Sequence, residues 1–382
     1  MALSEPSTFN SQLSTFAARR KSRQVVVGNI IIGGGAPITV QSMTKTDTRN
    51  AAATLAQINE LSETGCDIVR VAVPDLQAAQ TIGEIVKGSP IPVVADIHFD
   101  YRLALEAVKQ GAAKIRLNPG NLRRPEEVKL VADACKEKGI PIRIGVNAGS
   151  VAPKLRARYE HLEVTEGVAR AMGDSAFEHI KLLEDQGFTE IAVSLKAFDV
   201  PTTLLANRLF AEKTDYPIHL GITEAGPPPA GLVRSCVGIG VLLSEGIGDT
   251  LRVSLTAKPV EEVRAGREIL SSLNISKSGL TIISCPTCGR CEVDLTEMVN
   301  DAQELLAPLD ARLRKAGKRM KVAIMGCVVN GPGEAREADV GLAAGRNKVA
   351  LFSHGKPIAT LPVADALGAL VAEAQKVSKD LQ

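Results

Sequence analysis

Short aliphatic and β-branched runs recur along the first two thirds of the chain, at residues 38–43, 67–73, 92–97, 113–118, 141–147, 190–197, 217–224 and 250–256. The stretches between them, such as 51–64 and 125–138, carry apolar residues at helical spacing. Several of these end at a glycine, Gly65, Gly111, Gly139 or Gly187, as a helix C-terminus should. Eight β/α units of roughly 30 residues predict a TIM barrel; an open doubly wound sheet is the alternative. A hairpin is predicted ahead of them, Val25-Val26-Val27 and Ile30-Ile31-Ile32 about the turn Gly28-Asn29, placed to close the N-terminal end of the barrel. The stretch from 148 to about 174 is longer than the other connections and is expected to reach over the active site or toward a partner subunit. After 263–273 the pattern changes. A helix at 296–316, a strand at 321–325, then short strands and a terminal helix over 338–377 predict a small α+β domain. The expected division is a tail at 1–24, a barrel at 25–274 and a second domain at 275–382.

The 382 residues suffice for a barrel of ~250 plus a smaller module. Tryptophan is absent and aromatics make up 3%, so Val, Ile, Leu and Ala must build the core, as suits a parallel sheet covered by helices. A net charge of +2 leaves no electrostatic footprint for nucleic acid. No apolar run reaches the ~18 residues of a membrane span. The N-terminus ends in Arg19-Arg20-Lys21-Ser22-Arg23, which reads as a frayed basic end or, on composition, as a transit peptide; no apolar segment follows that would make a secretion signal.

In a barrel the chemistry sits at the C-terminal ends of the strands. Here those ends are polar: Arg70, Asp96 and His98, Arg116 and Asn118, Arg143 and Asn147, Lys196, Glu224, Arg252 and Ser254. Spacings of two and four put each set on one face of its strand. Four or five cations at one mouth call for a phosphate-rich ligand, since arginine forks match phosphate oxygens; salt bridges to barrel carboxylates are the plainer reading. Lys196 admits a rival role as a Schiff-base lysine, and His98 reads equally as a base, a phosphate donor or a structural histidine.

Three of the seven cysteines, Cys285, Cys288 and Cys291, fall within seven residues, and Cys327 lies in the glycine-rich loop Gly326–334. Without a secretion signal this pattern argues for metal over disulfides. Thiolates suit zinc or iron–sulfur, and the spacing leaves both open. An aldolase acting on a phosphosugar with a structural zinc tail, and a non-enzymatic iron–sulfur sensor or scaffold, are therefore the competing readings.

The strings Ser284-Cys-Pro-Thr-Cys-Gly-Arg290 and Met325-Gly-Cys-Val-Val-Asn-Gly-Pro-Gly-Glu334 resemble the 4-hydroxy-3-methylbut-2-en-1-yl diphosphate synthase family of the non-mevalonate isoprenoid pathway. So do Val40-Gln-Ser-Met-Thr44, Arg70-Val-Ala-Val-Pro74, Ala95-Asp-Ile-His98, Ile115-Arg-Leu-Asn-Pro-Gly-Asn121, Ile144-Gly-Val-Asn147, Leu220-Gly-Ile-Thr-Glu-Ala-Gly226 and Leu251-Arg-Val-Ser-Leu-Thr256. The resemblance implies two-electron reductive ring opening and dehydration of 2-C-methyl-D-erythritol 2,4-cyclodiphosphate. It implies a [4Fe–4S] cluster on Cys285, Cys288, Cys327 and Glu334, a diphosphate grip of Arg116, Arg143, Asn147, Lys196, Arg252 and Ser254, and Glu224 as the group assisting proton delivery. Arg70, Asp96 and His98 are further substrate-site candidates. It also implies flavodoxin or ferredoxin as electron donor and a homodimer in which the cluster domain of one subunit closes over the partner's barrel. Cys291 has no place in that ligand set. The eighth predicted strand reaches Cys285 after about 30 residues, leaving no room for the extra domain of plant members; a bacterial, cytoplasmic, two-domain enzyme is the expectation.

Overall fold

The computed structural model describes residues 16–118, 124–276, 278–327 and 331–381. It divides the chain into two compact units between Ile269 and Leu270, a few residues before the expected boundary. The helix Pro259–Ser272 runs across that point.

The first unit opens with the hairpin β1 (Gln24–Val27) and β2 (Ile30–Gly33), paired antiparallel about Gly28, whose φ of 61° needs a residue without a Cβ. Eight parallel strands follow: β3 (Thr39–Met43), β4 (Ile68–Ala72), β5 (Val93–Ile97), β6 (Lys114–Leu117), β7 (Ile142–Asn147), β8 (Ile191–Lys196), β9 (His219–Leu220) and β10 (Thr250–Leu251). They are ordered β8-β7-β6-β5-β4-β3-β10-β9. A parallel bridge from Val193 to Ile218, with Val193 N–H donating to Pro217 O at 2.9 Å, closes the ring. This is the predicted (β/α)8 barrel, and the open sheet is excluded. Val25, Val27 and Ile32 of the hairpin pack on Ile68, Val94 and Ala192, so the hairpin closes the N-terminal end.

Gly65, Gly111, Gly139 and Gly187 all have positive φ, which explains why the preceding helices stop there. The long connection after β7 holds a 3-10 turn (Ala148–Ser150), a short helix (Pro153–Ala157) and the start of the helix Val164–Glu184. The last two strands are shorter than the sequence suggests. Beyond Leu220 the backbone at Gly221 runs so close to Lys196 that a Cβ there would lie 2.7 Å from Nζ. Regular pairing gives way to a tight approach around a side chain. The basic end does not fray over residues 16–23: Arg19 and Arg20 pair with Asp249 at 3.1 and 3.7 Å, Ser22 Oγ donates to the same carboxylate at 2.7 Å, and Arg23 pairs with Asp215 at 2.6 Å. Asp249 is buried, and without these partners it would be an uncompensated charge. Residues 1–15 lie outside the described residues.

The second unit has its own core. Five strands, β11 (Gly279–Ser284), β12 (Arg319–Met325), β13 (Val340–Ala344), β14 (Lys348–Ser353) and β15 (Lys356–Pro362), pair in that order. The helices Leu295–Lys315 and Val363–Asp380 pack on them. Leu295, Met298, Ala302, Leu306, Leu309 and Leu313 recur every three or four residues on the first helix and are buried against Val322, Ile324 and Leu342. The sequence reading passed over β11, the strand that delivers Cys285.

Candidate active site

Inward positions on the barrel strands place the expected polar residues at one end. Asp96, on β5, is 3% exposed and central. Its carboxylate lies 3.1 Å from Arg116 Nη1, 3.4 Å from Arg70 Nε and 3.5 Å from His98 Nε2. Burial works against the charge on Asp96, but Arg70, His98 and Arg116 outweigh it and hold the carboxyl below the ordinary carboxylate range. Arg70 is shifted down to about 10 by burial, with Asp96 opposing and Arg252 and Arg116 adding to the shift. Arg116 also donates to Gly145 O at 3.1 Å and sits 3.3 Å from His98 Nε2. Glycine at 145 is needed, because a Cβ there would run into the Arg116 guanidinium.

Arg143, one strand further, is 1% exposed, and its Nε and Nη1 have no hydrogen-bond partner. Burial, with Arg70 and Arg116 adding to it, pushes its pKa well down. Lys196 at the end of β8 is depressed in the same way, by burial first and then by Arg143, Arg70, Arg252 and Arg116. Ser150 Oγ donates to Asn118 Oδ1 at 3.3 Å and to Asn147 O at 3.0 Å, tying the ends of β6 and β7 together. Arg252 and Ser254 follow β10, both half-buried. Glu224 lies exposed after β9 with φ 54°, a left-handed conformation rare outside glycine. Pro119-Gly120-Asn121, part of the β6 motif, lies outside the described residues.

Sequence reasoning missed four side chains here. Glu262, on the helix Pro259–Ser272, is 1% exposed and takes Arg252 at 3.1 Å, Ser42 Oγ at 3.2 Å and Leu255 N–H at 3.1 Å. Met43 Sδ at the end of β3 accepts from Arg70 Nη2 at 3.0 Å and faces Arg252 Nη1 at 3.6 Å. Lys114 and His219 are fully buried inside the barrel, and Lys114 Nζ and His219 Nε2 have no hydrogen-bond partner. Only Lys114 carried a readable signal, two residues before Arg116 and on its face.

In the second unit Cys285 directly follows β11, and Cys327 follows β12, the parallel neighbour of β11. Gly326 N–H donates to Cys285 Sγ at 3.4 Å. A Cβ on Gly326 would strike Cys291 Sγ and sit 3.6 Å from Cys285 Sγ, so a bare backbone is required beside two thiols. Cys288 and Glu334 are exposed. Among the described residues no three His, Cys, Asp or Glu side chains converge as a metal site; Val328-Val329-Asn330, between Cys327 and Glu334, lie outside those residues.

The GcpE TIM-barrel domain profile matches residues 22–267, and the GcpE protein C-terminal domain profile matches 281–376. The chain belongs to the GcpE family. Curated relatives of this GcpE chain carry the name 4-hydroxy-3-methylbut-2-en-1-yl diphosphate synthase (flavodoxin). The protein of Geobacter sulfurreducens is 52% identical over 94% of this chain and 98% of its own. That of Dehalococcoides mccartyi is 53% identical over 93% and 98%. A solved dihydropteroate synthase from Stenotrophomonas maltophilia aligns with 66% of this chain and 97% of its own at TM-score 0.50 and 15% identity, a likeness of fold alone. The aldolase reading of Lys196 gains no support from the family. Cys285 and Cys327 follow the parallel neighbours β11 and β12, and the Gly326 N–H already points at the Cys285 sulfur; soft thiol donors of this kind suit an iron–sulfur cluster.

Proposed function

We infer that this chain catalyses reductive ring opening of 2-C-methyl-D-erythritol 2,4-cyclodiphosphate: two electrons and the accompanying protons enter, one water leaves, and 4-hydroxy-3-methylbut-2-enyl diphosphate forms. The names of relatives at 52 and 53% identity support the reaction. The observation in the molecule that carries it is Arg143, a fully buried guanidinium with two unpartnered nitrogens amid Arg70, Arg116, Lys196 and Arg252. Buried donors without partners are costly, and surplus cations need an anion. Two buried carboxylates, Asp96 and Glu262, are already engaged by arginines. A diphosphate supplies both the missing acceptors and the missing charge.

In this reading Arg116, Arg143, Asn147, Lys196, Arg252 and Ser254 hold the diphosphate. Asp96 fixes Arg70, Arg116 and His98 at its edge, and Glu262 and Met43 aim Arg252. Glu224, exposed on its strained turn, hands a proton to the departing hydroxyl. Cys285, Cys288, Cys327 and Glu334 would hold a [4Fe–4S] cluster. When bound, such a cluster supplies single electrons and an iron open to an oxygen ligand. Flavodoxin, in the relatives' names, is the proposed donor, with ferredoxin second; a homodimer and a bacterial cytoplasmic setting complete the proposal. Among the described residues no helix is long and apolar enough to cross a membrane.

Anaerobically purified chain with reduced flavodoxin should convert the cyclic diphosphate to the linear one, read by phosphorus NMR. A chain that holds iron yet leaves the substrate intact would overturn the assignment.

A further inference from the structure

We propose that Lys114 is the floor of the diphosphate site, a substrate-binding cation one inward position below Arg116. The inference rests on the diphosphate reading of the barrel and adds a residue to it.

Residues 114, 116 and 118 share one face of β6 and its extension, and Arg116 on that face reaches Asp96 and Gly145 O on the two flanking strands. The alternate residues Ile115 and Leu117 are buried apolar side chains. Lys114 therefore points inward. It is 0% exposed, and its Nζ has no hydrogen-bond partner. Lysine is almost never fully buried unless paired.

None of the buried carboxylates among the described barrel residues, Asp96, Asp249 and Glu262, is paired with it; Asp249 is held by Arg19, Arg20 and Ser22. Asp96 is held by Arg70, Arg116 and His98, and Glu262 by Arg252, Ser42 and the Leu255 amide. The groups that do act on Lys114 are cations: burial first, then Arg143 and Arg70, push its amine well below the ordinary lysine value. His219, buried on β9, is depressed by burial and then by Lys196, Arg143, Lys114 and Arg70. A charged Lys114 thus needs an anion brought in from outside. The unpartnered Arg143 nitrogens belong to the same set of mutually repelling cations, so one polyanion entering the mouth relieves both.

The side chain is suited to that task. Lys114 stands level with Val94 and Arg116 with Asp96, and two strand residues span roughly 6–7 Å, about the reach of an extended lysine. The hairpin residues Val25, Val27 and Ile32 seal the barrel on Val94, Ile68 and Ala192. Lys114, beside Val94 in the β5–β6 register, lies between this apolar plug and the arginines of the mouth.

The test is calorimetric titration of the full-length chain with inorganic pyrophosphate, comparing wild type, Lys114→Met, Lys114→Gln and Arg143→Ala. Methionine keeps the stem and removes a buried unpartnered cation, so Lys114→Met should fold and melt no lower than wild type; glutamine gives a second neutral side chain. The expected result is tenfold or greater loss of pyrophosphate affinity in both Lys114 variants. If both bind as wild type does while Arg143→Ala fails, Lys114 is not in the site and the diphosphate reading stands. If wild type itself binds no pyrophosphate, the diphosphate reading falls, and the Lys114 proposal with it.

Discussion

At the scale of single residues, the barrel mouth is an exercise in leaving charge unbalanced. Asp96 and Glu262 neutralise and orient some of the arginines, while Arg143 keeps two donors free of protein partners. Its loss should therefore matter more than that of an exposed ion pair, which is worth only ~0–1 kcal/mol. Arg143→Ala is expected to weaken substrate transition-state binding by about 2 kcal/mol or more, roughly 30-fold in kcat/KM; unchanged kcat and KM would remove it from the grip. Gly145 acts one step back. An added methyl in Gly145→Ala collides with the Arg116 guanidinium, which must leave Gly145 O and swing off Asp96. We expect Gly145→Ala to fold and to lose activity about as Arg116→Ala does, with little further loss in the double variant. Additive losses would show that Arg116 tolerates the methyl. Most of this site was legible because strand periodicity puts residues two apart on one face: Arg116 with Asn118, Arg252 with Ser254. Glu262 and Met43 were not legible. One comes from a helix after the last strand and the other reads as the apolar end of a strand; only the closed ring brings them to the arginines.

At the scale of elements, the helix Val164–Glu184 shows how burial sets a pH response. His179 lies on its inner face, 2% exposed, with Nε2 unpartnered. Burial alone pushes its pKa down to about 4, against ~6.5 in an unfolded chain. The folded-state pKa is the lower one, so between these values the unfolded chain takes up a proton that the folded chain refuses. Stability is therefore undiminished above pH ~6.5, falls as the pH drops toward about 4, and levels off below. The full loss from this group is roughly 3 kcal/mol. In His179→Gln, urea midpoints at pH 7.5 and 4.5 should lie closer together than in the wild type; an unchanged gap would mean that the buried histidine does not govern the slope. Element boundaries were legible where a glycine enforced them, as at Gly139 with φ 64°. They failed where tertiary contacts took over. β9 and β10 shrink to two residues each, and after β9 the backbone at Gly221 passes close to Lys196 Nζ and the Arg252 carbonyl. β11 went unseen because its partners, β12 and the helix Leu295–Lys315, follow it in the chain and no local alternation marks it.

At the scale of the whole molecule, the two units have separate cores, and this separates cluster loss from unfolding. The second unit's described apolar core is built from the helices Leu295–Lys315 and Val363–Asp380 and from β12 to β14. The barrel is closed by its own strands and plugged by its own hairpin. Cys327 stands at the exit of β12, at the edge of the second core. Replacing its sulfur by oxygen removes a thiolate ligand of the proposed cluster and leaves the apolar layers intact. Cys327→Ser should therefore be purified with far less than the about four irons per chain of a [4Fe–4S] protein, lose its visible absorption and turnover, and still bind pyrophosphate. The barrel's thermal transition should be unmoved, while the transition of the second unit falls. Two separate transitions in the wild type, only one of them shifted by the substitution, would establish that the cluster stabilises its own domain alone. A single transition that collapses as a whole in Cys327→Ser would show instead that the two cores fold as one unit, and that losing the cluster undermines the barrel as well.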